Sequence, residues 1–411
     1  MMRRSIFVLA IATTLALARP AAAGVEIDAP AELAKLAQGQ PVPRHIGEAG
    51  HRLAIFTYED PDGTGLGDLV AGLIAQHILS GGYVRSLGVI RYTGRLTPGP
   101  GERGLSYFDR VDRLAAAQAV ELSLWGSIRK TPGALRIDTF LQIHDAGKLG
   151  LTWEQPITGC ADAVLRASVR PTRILLERLD LGVAEAAALA GEVGELDRIH
   201  AEPSVTAPVV CTIQHDQVVS YRAVQNGWAL VLGCNRGGWV NVQPDCGRGC
   251  RLLAIAATFA GELLGSKEHA SPPLARAGLS TEALAVAEGI ALLRSVKVRD
   301  SAGGLAIAER WIGPGRLVDR DPDTGIDRGR GTPPGGAAFA NARMCLNIVG
   351  TQRGPALPPV PKAQLLAEAE KLAEALQLDP LNADVLHNLE VLFRCAGDLE
   401  RAERAKALPR R

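Results

Sequence analysis

The chain has 411 residues, 47% of them hydrophobic, and its 45 Lys and Arg against 44 Asp and Glu leave a formal net charge of +1. That balance, with no basic block, argues against nucleic acid as a partner and against electrostatic docking to a membrane surface. The length predicts two or three domains with enough apolar material for packed cores.

The N-terminus reads MMRRSIFVLAIATTLALARPAAAGV. Arg3 and Arg4 form a positive n-region, Ser5 to Ala18 is apolar, and Ala21-Ala22-Ala23 supplies small residues for cleavage. This predicts a signal peptide over 1–23. The apolar stretch is too short to cross a bilayer, and no later segment is apolar enough to do so. The mature chain is expected to be periplasmic or secreted, with no transmembrane segment after signal cleavage. Residues 24–50 are polar and read as a linker.

An α/β domain is expected over 45–180. LAIFTYE (53–59) reads as a strand. Leu66, Leu69, Val70, Leu73, Ile74, His77 and Ile78 then recur at helical spacing, a buried stripe. SLGVIRY (86–92) is a second strand, 107–120 a helix, and ELSLWGSIRK (121–130) a third strand. ALRIDTFLQIHDA (134–146) alternates Leu135, Ile137, Thr139, Leu141 and Ile143 on one face. KLGLTWEQPI (148–157) follows after Gly147, and 161–179 reads as a helix.

Between the first strand and the first helix stands YEDPDGTGLGDL, placed where a phosphate cradle would be. Gly63-Thr64-Gly65 fits the dinucleotide pattern, but Asp68 holds its third glycine position, where a carboxylate repels pyrophosphate. Arg91-Tyr92 end the second strand in place of a ribose-binding acid. The run therefore reads as a flexible, exposed turn, and no cofactor is expected.

Residues 181–203 read as a helical connector. Residues 204–254 hold short β-like runs, glycines, Tyr221, Trp228 and Trp239, and four of the seven cysteines: Cys211, Cys234, Cys246 and Cys250. Export permits disulfides. Cys246–Cys250 is one pairing, and Cys211 or Cys234 joined to one of them is another. The spacing lacks a zinc knuckle. Cys160, alone in its region, is the candidate for the unpaired thiol. Helices are expected over 280–408, interrupted by a Pro/Gly/Asp-rich loop at 313–337. In that loop Asp319, Asp321, Asp323 and Asp327 suggest calcium, but Thr324 replaces the turn glycine and Arg330 the closing Glu, so no metal is expected. There is no HExxH and no Gly-x-Ser-x-Gly, so no catalytic residues are assigned.

Three resemblances follow. RLAIFTYEDPDGTGLGDLVAGLIAQHIL, LGVIRY and the Trp125-Gly126-Ser127-Ile128 strand with its hairpin resemble the TolB amino-terminal-like and CsgG-like envelope family across 52–180. That resemblance implies a non-enzymatic module that assembles with partners. APVVCTIQHDQVVSYRAVQNGWALVLGCNRGGWVNV resembles a bacterial Src-homology-3-like barrel, in which Tyr221, Trp228 and Trp239 would line a groove or pack the core. The C-terminal text resembles tetratricopeptide repeats, with Leu386, Leu389, Phe393, Gly397 and Ala402 at packing positions.

The expected fold class is therefore multidomain: α/β, a small β-barrel and α-helical repeats. The expected function is an exported, non-catalytic envelope scaffold or accessory protein, whose partners are envelope proteins or peptidoglycan. A peptidoglycan-targeted cell-wall enzyme, or the regulator of one, is the alternative, and a periplasmic small-molecule sensor is another.

Overall fold

The computed structural model describes residues 51–81, 87–93, 107–169, 173–190, 197–214, 218–223, 227–233, 236–242, 253–265, 279–298, 301–312, 336–351, 359–377 and 379–409. The expected signal peptide, the linker before residue 51, and Asp319 to Asp327 lie outside them.

The first half runs β1 (His51–Phe56), α1 (Gly67–Ser80), β2 (Leu87–Tyr92), α2 (Tyr107–Ala117), β3 (Leu122–Thr131) and β4 (Ala134–Ile143). β1 lies between β2 and β3 and is parallel to both. Alternate residues of these strands enter different cores. Leu53 and Ile55 pack with the α1 stripe, while Ala54 and Phe56 pack with Val111 and Ala115 of α2. Helices thus cover both faces, which is why the strand text is apolar without alternation. The stripe is buried as its spacing predicts, except that His77 is half-buried near the helix end.

The next segment departs from expectation. Residues 161–179 are not a helix. They hold β6 (Val164–Ser168) and the start of β7 (Ile174–Gly182). Leu165 and Ala167 are buried and Arg166 between them is exposed, a period of two that the Ala-rich text concealed, and Pro171 opposes a continuous helix. β7 pairs with β4. β5 (Thr152–Pro156) leaves the main sheet and pairs only with β6, as a separate two-stranded hairpin. Among the described residues of the connector 181–203, α3 (Val183–Ala190) is helical and β8 (Arg198–His200) is a strand.

Residues 204–254 were expected to form a separate barrel. They contribute β9 (Val209–Thr212), β10 (Val218–Ala223), β11 (Trp228–Gly233) and β12 (Arg236–Asn241) to the main sheet instead. The order is β7-β4-β3-β1-β2-β10-β11-β12-β8-β9, an open sheet of ten described strands. The join is antiparallel, from Val218 opposite Tyr92 to Arg222 opposite Gly88. Without β10, β2 would present an unpaired edge.

Helices α4 (Ala254–Gly265), α5 (Thr281–Val298), α6 (Ser301–Ile312), α7 (Gly336–Thr351), α8 (Lys362–Ala375), α9 (Ala383–Ala396) and α10 (Leu399–Ala407) complete the described chain. α4 packs on α1, α5 on β7, and α7 and α9 on β6. The α9–α10 corner is written locally. The Asn382 side chain caps α9 at Val385 N, Gly397 ends it with φ 91°, and Asp398 caps α10 at Arg401 N.

Candidate functional site

The glycine run forms a loop at the carboxyl ends of the parallel strands, where open α/β sheets bind ligands. Two of its backbone donors are held by Asp60. Asp60 Oδ1 accepts Thr64 N–H at 2.9 Å, and Oδ2 accepts Gly65 N–H at 2.7 Å and the Thr64 hydroxyl at 3.0 Å. The Asp60 carboxylate stands where a cradle would hold phosphate oxygens. The loop is also fastened to β3: Glu59 N–H donates to Gly126 O at 2.8 Å, Ile128 N–H to Glu59 O at 2.7 Å, and Lys130 N–H to Asp62 Oδ2 at 2.6 Å. Exposed as the loop is, these bonds tie it to itself and to β3. Asp68 turns inward to the Thr57 hydroxyl.

Arg91 is buried beneath α1. Its guanidinium donates to Asp197 Oδ1 at 2.9 Å, to Asp68 O at 3.0 Å and to Tyr221 Oη at 3.3 Å. Burial works against its charge, but Tyr221 and Asp197 outweigh burial and raise its pKa above the ordinary value. The residue at the expected ribose-acid position is thus a tie between the two halves of the sheet. Of the three groove candidates, Tyr221 stands opposite Val89 and Val231, on the α1 face. Trp239 stands opposite Leu230 and His200 on the other face, and Trp228, two residues from Leu230, shares it. Trp228 is buried, edge-on to His200 at 5.6 Å. The three aromatics do not line one groove, because the pleat sends Tyr221 through the sheet from the tryptophans.

The most organised polar constellation lies where the hairpin meets the helices. Strand β6 turns its free edge to α9, and Asp384, His387 and Asn388 share one helix face at i, i+3 and i+4. Asn388 Oδ1 accepts Arg166 N–H at 2.8 Å, and its Nδ2 donates to Arg166 O at 2.6 Å. A primary amide offers the same acceptor and donor as a peptide group, so Asn388 does here what a neighbouring strand would do. Asn341 of α7 donates a second bond to Arg166 O at 2.7 Å, and its Oδ1 accepts from Asn388 at 2.6 Å. His387 Nε2 donates to Val164 O at 2.8 Å, and the Ser168 hydroxyl donates to Asp384. Cys345, a free and buried thiol, points at the same Arg166 carbonyl at 3.8 Å. Burial, then Asp384, push its pKa up, so it stays protonated and serves as a weak donor. Asn388 and Asn341 are 0% and 1% exposed.

Covalent closure of this interface overturns the reading of Cys160 as the unpaired thiol. Cys160, beside the hairpin, is bonded to Cys395 at the end of α9, 235 residues away, with Cα atoms 5.6 Å apart. Cys211 is disulfide-bonded, while Cys234, Cys246 and Cys250 lie outside the described residues. Leu386, Leu389, Phe393 and Ala402 are buried, and Gly397 makes the left-handed cap. These positions were expected to pack repeats; Asp384, His387 and Asn388 on the same helix carried no such expectation. The available signal was an asparagine, a poor helix former, in register with Val385 and Leu392 on the buried stripe.

Two other polar groups lie at the opposite ends of the strands. Glu121, fully buried, accepts His51 Nδ1 at 2.8 Å and has Lys148 Nζ at 3.4 Å. Ser123 Oγ lies 2.9 Å from His144 Nε2, and burial lowers the His144 pKa against the opposing effect of Asp112. Ser123 is 0% exposed, so no substrate reaches its hydroxyl in this arrangement. Among the described residues no group of three or more His, Cys, Asp and Glu side chains is placed to hold a metal ion, and no described helix is long and apolar enough to cross a membrane. Comparison of the chain with protein-family profiles, with curated proteins and with solved structures finds no match.

Proposed function

We propose that this chain is an exported, non-catalytic envelope scaffold that binds protein partners through its C-terminal helices. The observation that carries the reading is the Asn388–Asn341 pair on Arg166. These helices recognise extended polypeptide by its backbone, with both backbone groups of one residue satisfied at 2.6–2.8 Å. Recognition through the main chain is how one polypeptide adds to the edge of another. Two further observations support it: Asp60 holds the Thr64 and Gly65 N–H groups of the glycine run, and Leu399 on α10 is a large apolar side chain left 64% exposed.

The test places a photo-crosslinking residue at Leu399 in the full-length, exported protein, with the same group at Val183 of α3 as control. A discrete periplasmic protein captured from Leu399 and not from Val183 is the expected result. Identical capture from both positions, or none from either, overturns the scaffold. Sedimentation with sacculi separates a cell-wall partner from a protein one.

A further inference from the structure

We propose that the β5–β6 hairpin is an internal ligand of the α7–α9 face, latched there by Cys160–Cys395, and that reduction of this disulfide lets an extended segment of another protein take its place. The inference rests on the scaffold reading and names the chemistry of that site.

Four observations carry it. The hairpin shares no ladder with the ten-stranded sheet, and a lone two-stranded hairpin is marginal in water. Its attachment on the β6 side is to helices, through Val164 O, Arg166 N–H and O, and the Ser168 hydroxyl. Those contacts read backbone and one hydroxyl. Of the side chains that face the core, Leu165 is apolar and Ala167 is small, while the Arg166 side chain points out to Glu154 at 2.9 Å. The disulfide joins the loop of the same hairpin to the same helix, and both of its cysteines are only partly buried.

The ligand class follows from the contacts: an extended segment with an apolar residue, any residue, a small residue and then Ser, in the order Leu165-Arg166-Ala167-Ser168. The residue at the Arg166 position must carry an N–H, so proline is excluded there. Unlatching is thiol–disulfide exchange with a dithiol reductant. One of its thiolates attacks a latch sulfur and forms a mixed disulfide. Its second thiol then resolves that bond. The reductant leaves as a disulfide, and Cys160 and Cys395 leave as thiols, two electrons having passed.

The test uses the full-length protein and a fluorescent peptide, Ala-Asp-Ala-Val-Leu-Arg-Ala-Ser-Val, copied from residues 161–169. Cys160→Ser/Cys395→Ser is expected to bind it at least about tenfold more tightly than the oxidised wild type. Adding Asn388→Ala, or placing Pro at the Arg position of the peptide, is expected to abolish binding. Hydrogen exchange on the wild type needs no substitution: amides of 152–168 are expected to exchange faster in dithiothreitol. Equal peptide binding with and without the latch overturns the proposal, as does unchanged exchange on reduction. If Leu399 still captures a partner when the peptide result is negative, the exchange mechanism fails and the scaffold stands; if both fail, both fall.

Discussion

Tyr58 lies across Gly126. A Cβ on that glycine would stand 2.1 Å from Tyr58 Cε2 and 2.3 Å from the Asp138 carbonyl oxygen. The ring passes through that gap to donate its hydroxyl to Thr139 Oγ1 at 2.9 Å. The glycine of Trp-Gly-Ser-Ile is there because a strand and a ring both need its space. Gly126→Ala is expected to destabilise by about 2–3 kcal/mol, an overpacking cost. Tyr58→Ala on top of it should recover only part of the loss, since the Asp138 carbonyl remains. Urea denaturation of the two variants measures this.

Glu177 is buried on β7, and desolvation pushes its pKa up to about 7 against the opposing Ala256 backbone bond at the start of α4. A carboxyl raised in the folded state binds its proton more tightly there than in the unfolded chain. Its stability contribution is intact below the unfolded value and falls as pH rises from about 4.5 to about 7. Glu177→Gln is therefore expected to match the wild type near pH 4 and to exceed it by about 3 kcal/mol above pH 8. Denaturation midpoints across that range test the sign. A pH-independent difference sinks the assignment.

The 235-residue separation of Cys160 and Cys395 closes a long loop in the unfolded chain. By loop entropy alone, Cys160→Ser/Cys395→Ser is expected to cost up to about 5 kcal/mol. Differential scanning calorimetry of the oxidised wild type against the double variant reads it. A midpoint unchanged within error contradicts it.

Asp60 closes its loop with three bonds to Thr64 and Gly65. Asp60→Ala frees donors that water can reach, so the expected loss is about 1 kcal/mol. Faster hydrogen exchange should be confined to residues 59–66. Exchange that spreads through α1 would mean the loop does more than close on itself.

Much of this protein is legible in its letters where neighbours in sequence are neighbours in space. The Leu66–Ile78 stripe and the alternation of Leu135 to Ile143 are periodicities of single elements, and the Asn382 cap and the Gly397 stop rest on contacts within a turn. Local physics determined them. What only the tertiary structure decided are pairings between distant segments. β10 found the edge of β2, and Cys160 found Cys395. Asp197 and Tyr221 found Arg91, and Asn388 found the backbone of Arg166. A hydrogen bond to a backbone amide leaves no mark in the sequence of the residue that receives it, because every residue but proline offers the same N–H. That is why the interface now proposed as the site could not be read from Arg166, and only faintly from the asparagine that grips it.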